Sequence, residues 1–314
     1  MSKNENDCNM AKKMNREKVK IAIIILFILF IAFSCTTSVI PPRETVSNSN
    51  FISARHLIFI GFDGWGASYL KKANMPTVKR MISNGASSTS TRSVMPSVSW
   101  PNWTSLFMGT PPEKRVNDNF PSIFSIVKES FTTVQDDSET QPVLFFEWND
   151  LYNICPDETA AKFEISSDYE SAYKIASYIL SKKPVFTAIV FDEPDTTGHA
   201  KGWCSKAYYD KLTLLDNFVA IIEQAVKDSG IYDSTVFVFS SDHGGSFKGH
   251  GMNTSRHRKI PLVFYGPGIK KGYVIPFSTD IYDITPSMAA ILGLQAPQEW
   301  TGKPIFEIFD NLKQ

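Results

Sequence analysis

Three apolar stretches of this chain run without a break into clusters of aspartate and histidine, and that junction constrains the fold more than any other feature. Phe59-Ile60-Gly61-Phe62 meets Asp63-Gly64. Phe191 opens Asp192-Glu193-Pro194-Asp195-Thr196-Thr197-Gly198-His199, and Ser240-Ser241 leads into Asp242-His243-Gly244-Gly245. Near-continuous apolar runs of this length are expected of strands buried on both faces. A charge at the end of such a strand costs several kcal/mol unless something compensates it. In open sheets of parallel strands, ligands bind at the carboxyl ends of the strands.

The rest of the chain supports the same architecture. Strands are expected at His56 to Asp63, Val143 to Trp148, Pro184 to Asp192, Ser234 to Asp242 and Pro261 to Gly266. Helical periodicity marks Pro76 to Asn84, Tyr169 to Ser181, Lys206 to Asp228 and Asp283 to Leu292. Alternating strands and helices predict an α/β fold: a mainly parallel β-sheet with helices on both faces and a site at the C-terminal strand ends.

The N-terminus carries a different signal. A segment rich in Lys and Arg precedes the unbroken apolar run Ile21 to Phe33, which gives way to Ser34-Cys35-Thr36. The run is shorter than the roughly 20 residues that span a bilayer as a helix, so residues 1–35 read as an export signal, a lipoprotein signal or a membrane anchor. Cys35 stands where a bacterial lipoprotein signal would place its lipidated cysteine. Pro41 to Asn50 is rich in Pro, Ser and Asn, so residues 36–53 read as a flexible tether before a catalytic domain at 54–314. The expected location is the cell envelope, exported and tethered to the membrane. Lys plus Arg and Asp plus Glu each total 32, but beyond residue 35 the acidic residues outnumber the basic ones by three. A surface that coats nucleic acid is not expected. Cys155 and Cys204 remain in the domain, as one disulfide or as two free thiols.

Of the five histidines, three fall within or just after the strand-end clusters: His199, His243 and His250, the last in Gly249-His250-Gly251. Carboxylates and imidazoles without a thiolate nearby suit zinc or a similar divalent first-row ion. Taken singly, Asp63-Gly64 is an ordinary turn and Asp195 with His199 an ordinary surface pair; together the clusters predict a metal site. Ser99, in Ser99-Trp100-Pro101-Asn102-Trp103, precedes a helical stretch and reads either as an N-cap or as a nucleophile at a helix N-terminus.

These segments, with Glu193-Pro194-Asp195, the closing Asp283-Ile284-Thr285-Pro286 and Gly302-Lys303-Pro304-Ile305, occur in an order that resembles the type I phosphodiesterase/nucleotide pyrophosphatase family of the alkaline phosphatase superfamily. The likeness runs from about His56 to Ile305. It implies an alkaline-phosphatase-like fold, two zinc ions and catalysis by Ser99, where that family usually has threonine. Residue by residue it implies one metal on Asp63, Ser99, Asp242 and His243, and a second on Asp195, His199 and His250, with His257 a rival to His250. A substrate-contacting asparagine falls at Asn117 or Asn119. The expected activity is hydrolysis of a small phosphate ester, a phosphodiester or pyrophosphate of nucleotide or lipid-headgroup type, through a phosphoserine. A phosphomonoesterase and a catalytically inactive binding lipoprotein are the alternatives. A sulfatase would need arginine where this chain has Trp103, and no Gly-x-Ser-x-Gly elbow of an esterase occurs. Trp65, Trp100, Trp103 and Trp203 read either as packing or as rings against a substrate group.

Overall fold

The computed structural model describes residues 54–115, 120–131, 141–155 and 159–310. The signal, Cys35, the tether, Asn117 and Asn119 lie outside them. Among the described residues eight strands form one sheet in the order β4-β3-β5-β1-β6-β7-β2-β8. Strand β1 (His56–Phe62) lies at its centre, parallel to β5 (Phe186–Phe191) on one side and β6 (Thr235–Ser240) on the other. Beyond β5 come β3 (Val143–Phe146) and β4 (Ala161–Glu164), also parallel. On the other flank β7 (Lys259–Tyr265) runs against both β6 and β2 (Ala86–Arg92), and the two-residue β8 (Tyr273–Val274) closes the edge.

Period-two alternation divides the central strands between two cores. Leu57, Phe59, Ala188, Val190, Val236 and Val238 face one, while Ile58, Ile60, Ile189, Phe191, Phe237 and Phe239 face the other. The first face is covered by helices Ser99–Phe107, Ile123–Phe131 and Ile284–Ile291, which contribute Trp103, Phe107, Phe124 and Met288. The second is covered by Tyr169–Lys182 and Lys206–Asp228. Both of these start at side-chain caps: Asp168 accepts from the Ser171 N–H at 2.8 Å and Ser205 from that of Tyr208 at 3.1 Å. No helix among the described residues is long and apolar enough to cross a membrane.

The five expected strands and four expected helices are present. Three strands go beyond the expectation: β4 and β8 are short, and β2, Ala-Ser-Ser-Thr-Ser-Thr-Arg, has no apolar alternation to read. Its buried hydroxyls are partnered instead, as in the 2.8 Å contact between Thr91 Oγ1 and Thr279 Oγ1. Cys155 is a buried free thiol and Cys204 an exposed one.

Candidate metal centre

Asp63 directly follows β1, and Asp242-His243 lie two residues past β6. The helix Asp195–Lys201, which starts four residues after β5, carries Asp195 and His199 one turn apart. His250 arrives on the loop between β6 and β7. Two donor groups result, Asp63-Asp242-His243 and Asp195-His199-His250, and within each the donor atoms lie within 4.8 Å of one another. The His243 and His250 rings stack with centroids 3.8 Å apart, so the groups adjoin. Gly64 sits between them. Its N–H donates to Asp242 Oδ1 at 3.1 Å, and at φ +70° a Cβ there would lie 2.7 Å from Asp195 Oδ1. Only glycine fits this turn at low cost.

Hydrogen bonding prepares both groups for cations. Each of the three imidazoles turns Nδ1 to a backbone carbonyl: His243 to Gly244 at 3.1 Å, His199 to Lys248 at 3.1 Å and His250 to Ser97 at 3.0 Å. A carbonyl only accepts, so each neutral ring carries its proton on Nδ1 and presents the Nε2 lone pair to the site. Those lone pairs face oxygens that have no donor. Asp63 Oδ1, Asp242 Oδ2 and Asp195 Oδ1 are buried without a hydrogen-bond partner. His243 Nε2 lies 3.1 Å from Asp242 Oδ2 and 3.6 Å from Asp63 Oδ1; His250 Nε2 lies 3.7 Å from Asp195 Oδ1. The Nε2 atoms of His199 and His250 stand 3.0 Å apart. Lone pairs converging at such distances are repulsive unless a cation lies among them, and divalent metal ions fit this donor set.

The electrostatics agree. Burial, reinforced by the neighbouring Asp242 and Asp195 charges, holds the Asp63 carboxyl well above the usual carboxylate range. Asp195 is pushed to about 8 and Asp242 to about 6, in each case mainly by burial. Burial also pushes His243 down to about 3 and His250 to about 4. Carboxylates that resist ionising beside imidazoles that resist protonation form a site in want of positive charge.

Ser99 is the first residue of the Ser99–Phe107 helix, so the positive end of the helix dipole lies at its hydroxyl. Its Oγ is 3.3 Å from His243 Nε2, which places it with the Asp63-Asp242-His243 group. Asn102 fixes the approach to it. Its Oδ1 accepts from the Val94 N–H at 2.7 Å, and its Nδ2 donates to the Val98 and Pro96 carbonyls at 2.9 and 3.2 Å. Trp103 is fully buried and donates Nε1–H to Asp63 Oδ2 at 3.0 Å. Gly61 makes room for its ring, since a Cβ there would meet Trp103 at 2.5 Å.

His257 stands apart from both groups. Its Nδ1 accepts from the Met252 N–H at 3.1 Å and its Nε2 pairs with Ser246 Oγ at 2.7 Å, so both ring nitrogens are engaged within the protein. The residues around it form a helical turn, Ser255–Arg258, in which Arg258 binds the Ser93 carbonyl. Of the four tryptophans, Trp65, Trp103 and Trp203 are buried as packing, and Trp203 lies edge-on to His199. Trp100 is exposed and meets Trp148 edge-to-face at 6.3 Å.

Comparison with known proteins identifies the family of the chain. The model of the type I phosphodiesterase/nucleotide pyrophosphatase family matches residues 57–115 and 125–257, more than half of the chain. The chain is 30% identical over 128 residues to GPI ethanolamine phosphate transferase 1 of Saccharomyces cerevisiae, covering 35% of this chain and 14% of that protein. It is 24% identical over 297 residues to bis(5'-adenosyl)-triphosphatase enpp4 of Mus musculus, covering 85% of this chain and 59% of that one. It therefore spans only part of these relatives. An inactive form of murine ectonucleotide pyrophosphatase/phosphodiesterase 5, solved in complex with AMP, has the same fold, with a TM-score of 0.65 at 12% identity, covering 81% of this chain and 98% of that one.

Proposed function

Because the chain belongs to the type I phosphodiesterase/nucleotide pyrophosphatase family, we propose that it is a metal-dependent hydrolase of phosphodiester or pyrophosphate bonds that uses Ser99 as its nucleophile. The observation that carries this reading is the meeting of three donorless buried carboxylate oxygens with three imidazole lone pairs beside a helix-terminal hydroxyl. Asp63, Asp242, His243 and Ser99 would hold one divalent ion, and Asp195, His199 and His250 a second; zinc suits this set of nitrogen and oxygen donors. Bound there, the two ions would lower the pKa of the Ser99 hydroxyl and neutralise charge on the phosphoryl oxygens.

The protein's own contribution is orientation. Asn102 holds residues 94–98, and with them the start of the helix, so that Ser99 Oγ points into the site. Ser99 Oγ bonds to phosphorus as the bond from phosphorus to the leaving oxygen breaks, and the serine proton leaves to solvent or to that oxygen. Water then attacks the phosphoserine, the bond to Ser99 breaks, and the serine regains a proton. The dipole at the helix start opposes the charge that builds on the phosphoryl oxygens in both steps. Export to the cell envelope, with tethering through the N-terminal segment or a lipidated Cys35, belongs to the same proposal.

Ser99→Ala tests the assignment. We expect turnover of bis-p-nitrophenyl phosphate to fall by at least 10³-fold while zinc content, read by elemental analysis, stays near wild type. A variant that keeps wild-type turnover would remove Ser99 from the chemistry.

A further inference from the structure

We propose that the rim of the metal site seats on a lipid bilayer, so that the scissile phosphodiester belongs to a lipid headgroup; this rests on the phosphodiesterase reading above. Among the described residues few large apolar side chains are exposed, and four of these stand within five residues of a proposed site residue. Met95 and Trp100 flank Ser99, and Phe247 and Met252 flank His250. Phe247 is the most exposed of the set, at 84%.

Its conformation sharpens the point. Phe247 has a φ of 54°, in the left-handed region that costs a non-glycine residue about 1 kcal/mol or more. It occupies the tip of a tight turn closed by reciprocal bonds between Ser246 and Gly249 at 3.0 and 3.1 Å. The turn is fastened to the site: the Phe247 carbonyl accepts from the Trp203 N–H at 2.7 Å and the Lys248 carbonyl faces His199 Nδ1. The Met252 carbonyl likewise accepts from Ser97 Oγ at 3.0 Å. Strain that holds an aromatic ring in water beside a metal-ligand histidine needs a partner for that ring.

The chemistry of the rim favours a bilayer. Lys248, on the Phe247 turn, and Arg256, in the helical turn that follows Met252, are both exposed. Apolar tips beside cations match the boundary between anionic headgroups and acyl chains. A second copy of the chain would set those cations against their like. The chain also supplies a route. Ala54 lies two residues before β1 and Asp63 directly after it, about 30 Å apart for nine residue steps of extended chain. The 20 residues between Phe33 and Ala54 reach up to about 65 Å when extended. A domain held by an anchor at Ile21 to Phe33 therefore has enough leash to turn its site face to the same membrane.

The test uses the full chain reconstituted with zinc in vesicles of phosphatidylcholine and phosphatidylglycerol. An indole introduced by Phe247→Trp should have its emission quenched by brominated acyl chains beyond that of the unsubstituted protein; no added quenching overturns the docking. In parallel, Phe247→Ser/Met252→Ser should lower kcat/KM on vesicle phospholipid about tenfold and leave bis-p-nitrophenyl phosphate hydrolysis in detergent within twofold. A parallel fall on both substrates, or no fall on vesicles, also overturns it. Quenching in a protein that cleaves no diester supports the docking and sinks the catalytic reading alone, whereas diester cleavage without quenching does the reverse.

Discussion

Asp195→Asn tests the electrostatics of the centre directly. In the metal-free protein the Asp195 carboxyl titrates at about 8, raised first by burial and then by the Asp242, Asp192 and Glu193 charges. A carboxyl raised above its unfolded value of about 3.9 contributes stability that is complete below that value and is lost as pH rises through the folded value. Titration of His243 and His250, both lowered, adds stability as pH rises through about 6.5 and little beyond pH 7. The window from pH 7 to pH 9 therefore isolates the carboxylates. Across it, metal-free wild type should lose at least roughly 1 kcal/mol, from about 1.4 kcal/mol per pH unit while Asp195 remains protonated, less the small histidine gain, and the raised Asp63 carboxyl adds to the loss. Asp195→Asn has no charge to expose at this position and should lose less. Urea denaturation in the presence of a chelator measures both, and the variant should be the more stable protein at pH 9. Excess zinc should reverse the order, because wild type gains RT ln(1 + [Zn]/Kd) from a site that the variant lacks. Metal-free wild type as stable at pH 9 as at pH 7, together with a variant that is weaker throughout, would refute a site built around uncompensated negative charge.

The remaining predictions address the ligand set and its support. His250→Ala should remove one of two zinc equivalents, whereas His257→Ala should retain both and lose roughly 1–3 kcal/mol of stability from the unpaired Ser246 and Met252 groups; elemental analysis paired with denaturation separates them, and the opposite stoichiometry would make His257 the ligand. Gly61→Ala places a methyl 2.5 Å from the Trp103 ring. It should cost about 1–3 kcal/mol through overpacking and at least tenfold in kcat by moving the donor of Asp63; a variant with normal kcat would show that the Trp103 contact does not position Asp63.

How much of this was legible in the sequence depends on which atoms do the work. The strands β1, β3, β5, β6 and β7 were legible because burial on both faces writes an apolar run, while β2 was not, because its buried positions are filled by paired hydroxyls such as Thr91. Asp63, Asp195, His199, Asp242, His243 and His250 stood out because charge at a buried strand end, or beside glycines that follow it, is expensive and therefore conspicuous. Their supports were silent. The Gly244, Lys248 and Ser97 carbonyls that fix the three imidazole tautomers are backbone atoms, which any residue type supplies, so no letter of the sequence records them. The choice between His250 and His257 shows the consequence. Both are histidines on the stretch between Asp242-His243 and β7, 7 and 14 residues past His243, and residue type alone does not separate them. What separates them is the acceptor offered to Nδ1: the carbonyl of Ser97 leaves the Nε2 of His250 free for the site, whereas the Met252 N–H takes the Nδ1 lone pair of His257 and commits its Nε2 to Ser246. Since Ser97 lies two residues before Ser99, the loop that presents the proposed nucleophile also sets the proton of His250, a proposed ligand of the second metal. Displacing that loop should therefore weaken the Asp195-His199-His250 group even where none of its three side chains is changed.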